Sequence, residues 1–175
     1  MSEFRVNTAE LKEKLQDLKC GDKLLLSGTV YTARDAAHAR IVELIEKEKE
    51  LPFDLKNAVI YYAGPTETPK GLAVGSCGPT TSSRMDGFAP KLLDRGLCAM
   101  IGKGVRNKEV VDSIVKNKAI YLCAIGGAGA LAAKCITECE VIAFDDLGPE
   151  SVKRLEFKDF PLIVGCDCNG NSIFK

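Results

Sequence analysis

Two short stretches of this sequence place an arginine where a cation is electrostatically awkward. Gly78-Pro79-Thr80-Thr81-Ser82-Ser83-Arg84-Met85-Asp86 sets a run of hydroxyl residues between a Gly-Pro turn and an arginine, and Ser83 and Asp86 stand in the S-x-x-D relation of a helix start. Thr32-Ala33-Arg34-Asp35 repeats the pattern as T-x-x-D. Each arginine then falls in a first helical turn, against the positive end of the macrodipole, a poor position unless an anion is held nearby. The aspartates can satisfy the backbone N–H groups, which frees the guanidinium groups to point elsewhere. Two such arginines suit a small substrate carrying two carboxylates, because guanidinium binds carboxylate through paired hydrogen bonds. A solvated arginine beside a polar loop is the alternative for either.

Lys103 adds a third cation, between Gly102 and Gly104 at the end of an apolar strand. Strand ends of this kind are where α/β sheets hold ligands, although an exposed lysine in a flexible turn would look the same. Thr80 and Thr81 offer hydroxyls for orientation or proton transfer. His38, the only histidine, lies one helical turn after Arg34 on the same face; a lone helical histidine is more often structural than catalytic. Asp35 and His38 are therefore further candidates.

The elements that must position these residues follow from periodicity. Phe4-Arg5-Val6 reads as a short strand, Asn7 as a helix cap with Glu10 behind it, and Leu11, Leu15 and Leu18 as one helical face. Lys23 to Tyr31 is a strand broken at Gly28, and a helix follows with Ala37, Ile41, Leu44 and Ile45 inward until Pro52. Asn57 to Ala63 and Leu97 to Ile101 are strands, with a loop over Thr66 to Gly78 and a helix over Phe88 to Leu93 between them. Asn107 to Lys118 is an amphipathic helix, Ala119 to Ile125 and Glu140 to Phe144 are strands, and Phe157 to Cys166 is expected as a final strand pair with Asn169-Gly170 as a hairpin turn. From residue 84 onward helices and strands alternate with short connections, the signature of an α/β fold with a parallel sheet and crossover helices.

Composition narrows the function classes. The 175 residues are expected to form one domain, 1–175, with formal net charge zero, which argues against bulk nucleic-acid or anionic-membrane binding. No stretch approaches the roughly 20 apolar residues of a membrane span, and the N-terminus lacks a signal-peptide core, so a cytoplasmic protein is expected. The eight cysteines include no C-x-x-C; Cys135 and Cys139, and Cys166 and Cys168, are the close pairs. No metal ligand set is expected in this chain. Gly127-x-Gly129-x-x-Ala132, with Asp145 and Asp146 after the next strand, keeps a dinucleotide-binding module open as a reading from another class. A P-loop and a G-x-S-x-G nucleophile are absent.

Ser27 to His38, Tyr62-Ala63-Gly64-Pro65, Gly78 to Asp86, Ile101-Gly102-Lys103-Gly104 and Lys158-Asp159-Phe160-Pro161, in that order, resemble the β subunit of class I iron–sulfur fumarate hydratase, which is a C-terminal domain in single-chain members. The β subunit of L(+)-tartrate dehydratase is similar. The resemblance covers nearly the whole chain and implies a swivelling β/β/α three-layer domain with a partly parallel sheet. It implies a hetero-oligomer with an α subunit that carries a [4Fe-4S] cluster with one iron open to substrate, while the isolated chain can self-associate. It implies a hydro-lyase of the tricarboxylic acid cycle, inactive without the α subunit, that reversibly hydrates fumarate to (S)-malate; tartrate dehydration to oxaloacetate and a non-catalytic assembly role are the alternatives. Residue by residue, Arg34 and Arg84 match the carboxylate-binding arginines, Lys103 the active-site lysine, and Thr80 the threonine that moves the carbon-bound proton, with Thr81 beside it. A threonine hydroxyl is a weak base and needs an activating carboxylate, expected from the partner chain, while the iron acts as Lewis acid on the hydroxyl. Ser83 stands where many relatives have glycine.

Overall fold

The computed structural model describes residues 2–175. Its elements in chain order are β1 (Glu3–Asn7), α1 (Leu11–Lys14), β2 (Lys23–Thr32), α2 (Asp35–Glu46), β3 (Val59–Tyr61), α3 (Ala89–Asp94), β4 (Ala99–Gly102), α4 (Lys108–Asn117), β5 (Ile120–Cys123), α5 (Gly129–Ala133), β6 (Ile136–Ala143) and β7 (Val152–Cys166), with 3-10 turns at Ser82–Met85 and Asp145–Glu150. β1 to β5 are parallel neighbours in sequence order, whereas β7 runs antiparallel to β2, β5 and β6. β7 meets β5 and β6 along one edge and β2 along the other, closing β2–β3–β4–β5–β7 into a barrel with β1 and β6 outside the ring.

Successive strand residues face opposite ways, and here both faces are buried. Val59 and Tyr61, Ala99 and Ile101, Ile120 and Leu122 point into the barrel, where they meet Leu24, Leu26, Val30, Phe157 and Phe160. Ile60, Met100 and Tyr121 point outward into a second core under Ala37 and Ile41 of α2, Leu92 and Leu93 of α3, and Val110 and Ile114 of α4. Near-continuous apolar runs such as Ala58 to Ala63 are the sequence trace of that double burial. α2, α3 and α4 cover the outer face of the parallel strands, whereas Leu11 of α1 and Ala132 and Ala133 of α5 pack with the barrel core.

Several expectations need correction. Thr32 caps no helix: it ends β2, and its buried hydroxyl accepts from Lys153 N at 3.1 Å and donates to Ser151 O at 3.3 Å. Arg34 itself occupies the N-cap position of α2, with Asp35 as the first helical residue. Ser83 and Asp86 frame a 3-10 turn rather than an α-helix start. The Asp86 carboxylate accepts instead from buried Arg106 Nε at 2.7 Å and Asn107 N at 2.9 Å, since a buried cation claims it more strongly than a solvated N–H. Phe157 to Cys166 is no strand pair but part of one 15-residue strand, because β7 has partners on both edges. The Asn169-Gly170 turn forms, closing only a bridge between Cys166 and Ser172. The dinucleotide reading loses its framework: α5 has five residues, and β6 pairs antiparallel with β7 instead of returning parallel beside β5.

Gly102, at the end of β4, has no room for a side chain. A Cβ there would lie 2.0 Å from Ser82 Oγ and 2.9 Å from Tyr62 Cδ2. Gly102→Ala is expected to push Ser82 out of its 2.8 Å hydrogen bond with Tyr121 Oη and to destabilise the fold by about 1–3 kcal/mol, read as a lowered urea midpoint.

Candidate active site

The carboxyl ends of β2, β3, β4 and β5 lie along one edge, and the backbone leaves each strand there through a polar or glycine-containing turn. β2 delivers Arg34 and Asp35, β3 runs on to Gly64, and Lys103 follows the end of β4. The Ser82–Met85 turn brings Arg84 beside α2, where its Nε donates to Asp35 Oδ2 at 2.9 Å. Asp35 Oδ1 lies 4.0 Å from Arg34 Nε, and Glu150 Oε1 lies 3.7 Å from the same nitrogen. One carboxylate thus touches both arginines on their Nε sides. Within the described residues, neither guanidinium has a hydrogen bond at its Nη fork.

Gly64 makes this packing feasible. A Cβ on it would stand 3.2 Å from Arg34 Cδ and 3.1 Å from Pro149 O, so the bare backbone lets the arginine lie against the strand end. Thr80 N donates to Tyr62 O at 2.7 Å, which lays the hydroxyl-rich loop along the same strand. Ser82 N donates to Lys103 O at 2.9 Å, and Thr81 bridges Lys103 in parallel β fashion. The Thr80 hydroxyl has no partner, and Lys103 no ion pair, among the described residues. The Lys103 side chain passes Gly126 in the turn beyond β5, where an added Cβ would meet its Cδ at 3.2 Å. Arg34, Asp35 and Arg84 therefore form one cluster, and Thr80, Thr81 and Lys103 a second, joined through Tyr62 and Gly64.

Beneath them is a buried polar floor that periodicity did not reveal. Arg106 is 6% exposed, with Asp86 on its Nε and the Tyr62 hydroxyl 3.3 Å from Nη2; its guanidinium carbon lies 5.3 Å from the Tyr62 ring centroid and 4.9 Å from that of Tyr121. Tyr121 Oη donates to Gly104 O at 2.8 Å and accepts from Ser82. Asp86 was legible only as the aspartate of a helix start, and Arg106 not at all. Glu150 and Lys153 also escaped, since each belongs to a connection whose partners are distant in sequence.

His38 belongs to this floor. It is fully buried between Tyr62 and Phe88 and presents nothing to the open edge. Its Nδ1 lies 2.9 Å from the Arg34 carbonyl, which can only accept, so Nδ1 carries the proton and Nε2 is a buried lone pair without a partner. Burial pulls the imidazole down from 6.5 to about 4, opposed by the bond to the Arg34 carbonyl, helped by Arg106 and opposed again by Asp35. The unfolded chain binds the extra proton first, so stability is complete above pH 6.5 and declines as pH falls toward 4. His38→Gln is expected to flatten that slope in urea unfolding measured across the window.

A layered α/β barrel with three cations along the carboxyl edge of its parallel strands is the class of structure that emerges. The chain belongs to the Fumarase C-terminus family, which matches residues 1–175. It is 40% identical over 168 residues to the anaerobic class I fumarate hydratase of Escherichia coli (strain K12), covering 95% of this chain and 31% of the relative. Fumarate hydratase 2 of Leishmania major is 39% identical over 168 residues, 95% of this chain and 30% of the relative. The chain therefore spans about a third of the length of these fumarate hydratases. The L(+)-tartrate dehydratase subunit beta of E. coli is 35% identical over 175 residues, covering 97% of this chain and 86% of that subunit.

Proposed function

We propose that this chain is the β subunit of a two-subunit hydro-lyase that reversibly hydrates fumarate to (S)-malate. The observation that carries the reading is the pair of arginines beside Asp35, Arg84 bonded to it at Nε and Arg34 Nε 4.0 Å from it, with both Nη forks open. Arg34 and Arg84 bind the two carboxylates of the substrate, Lys103 and Thr81 complete its polar surround, and the Thr80 hydroxyl exchanges the carbon-bound proton. The carboxylate that activates Thr80 comes from the partner, since Asp35 and Glu150 are engaged with the arginines. The burial of both faces of β3, β4 and β5, in two separate cores, supports the finer description of a swivelling β/β/α domain that turns as one body against an α subunit.

We assign no iron–sulfur cluster to this chain. Among the described residues there is no group of three or more His, Cys, Asp or Glu placed to hold a metal ion. The [4Fe-4S] cluster, with its Lewis acidity, belongs in this proposal to the α subunit. Eight free cysteines suit a reducing, cytoplasmic setting.

The test is anaerobic mixing with a cluster-loaded α subunit, assaying fumarate and L(+)-tartrate side by side. Fumarate hydration by the mixture and by neither chain alone is the expected result, and an α subunit fully active alone would make this chain an assembly component. The match to 86% of a tartrate dehydratase β subunit favours tartrate as the second reading, which preferential tartrate turnover would establish.

A further inference from the structure

Arg34 Nε, Asp35 Oδ1 and Glu150 Oε1 are buried atoms without a hydrogen bond in the chain, and they face one another. Asp35 adjoins the arginine in sequence. Glu150 is brought there from the far end of the fold, by an arrangement more elaborate than a surface ion pair needs. It ends the Asp145–Glu150 turn, whose Gly148 adopts φ 58°, ψ −121°, outside helical geometry. Buried Lys153 clasps that turn, its Nζ donating to Gly148 O at 3.3 Å, Pro149 O at 3.1 Å, Ser151 O at 3.3 Å and Ser151 Oγ at 2.8 Å. Thr32 Oγ1 bonds both Ser151 O and Lys153 N, tying a residue two before Arg34 to the residue after Glu150. Gly64 brings Pro149 and Arg34 onto the same strand end. Three separate elements are thus braced so that this carboxylate stands at Arg34.

We propose that Glu150 is a positioning residue for the Arg34 guanidinium, held in place by the Lys153 clasp. Together with Asp35 it neutralises the Nε edge of Arg34 while the site is empty, so the side chain keeps one orientation and the Nη fork is aimed at an incoming carboxylate. Binding then proceeds without ordering a flexible arginine, the kind of cost that preorganisation removes. The role rests on the dicarboxylate reading above. Its effect is opposite in sign to that of charge alone, because removing an anion from the site would by itself tighten the binding of a dianion.

The experiment compares wild type, Glu150→Gln and Glu150→Asp in the reconstituted complex, each also in an Arg34→Ala background. Glu150→Gln is expected to raise KM for the dicarboxylate about tenfold with kcat nearly unchanged, Glu150→Asp to recover most of that loss, and neither to add to Arg34→Ala. An unchanged or lowered KM, or an equal loss without Arg34, overturns the proposal. A second measurement needs no activity: the Arg34 Nε–H resonance of the labelled chain should exchange with water about tenfold faster in Glu150→Gln than in wild type. A wild-type resonance that already exchanges as fast as free arginine overturns it even if the chain proves to hydrate nothing. A slow wild-type resonance in a complex inactive on both acids supports the positioning and defeats the functional reading alone.

Discussion

Replacing Arg34 and Arg84 together with alanine is expected to lower kcat/KM of the reconstituted enzyme by at least about a hundredfold, and toward ~10⁴-fold. Hydrogen bonds to a charged group are worth about 1.5–3 kcal/mol each, and ~1.4 kcal/mol is a factor of ten in rate. The two single changes should together cost more than the double. Asp35 Oδ2 is bonded to Arg84 while Oδ1 stands 4.0 Å from Arg34 Nε, so deleting Arg84 releases the carboxylate to close on Arg34 and compete with substrate. Steady-state kinetics on the three variants checks both claims, and full activity in the double variant would remove the clamp from the mechanism.

Asp86→Ala is expected to be the most damaging single change to the fold, destabilising it by about 3–5 kcal/mol because it strands a buried guanidinium. At ~2–4 °C per kcal/mol for a chain of this size, the melting temperature should fall by roughly 6–20 °C. Asn107 N also loses its acceptor at the start of α4. Asp112→Ala is the control: its partner Lys108 is exposed, and solvent screening leaves such a pair little weight in stability. Equal melting temperatures for the two variants would show that Arg106 finds other acceptors. The loss should extend to the site, since Arg106 contacts Tyr62, whose carbonyl holds Thr80.

The sequence exposed what is local. The amphipathic helix read over Asn107 to Lys118 forms as α4, with Asn107 as its cap, its side chain accepting from Val110 N at 2.9 Å. Apolar runs located β3, β4 and β5, because strands buried on both faces carry no polar alternation. The repeated arginine–aspartate motif drew attention to Arg34 and Arg84, although the reason offered, a pair of capped helix starts, does not describe either place. Thr32, Asp86 and Asp35 are engaged by Lys153, Arg106 and Arg84, partners that no spacing rule could supply. The same limit hid Glu150, and it hid the closure of the barrel, which depends on which edge of β7 meets β2.

That closure has a bearing on how the protein reaches its native state. Leu24 pairs with Leu162 and Tyr31 with Arg154, so the strand leading to Arg34 is completed by a segment far along the chain from it. Until β7 arrives, β2 has an open edge and the clamp has no wall. Contacts so distant along the chain slow folding, because loop-closure entropy is spent before they reward it. The earlier strands should therefore pass through a period of exposure in which a nascent-chain chaperone has work to do, and the site should be assembled only once β7 has joined β2.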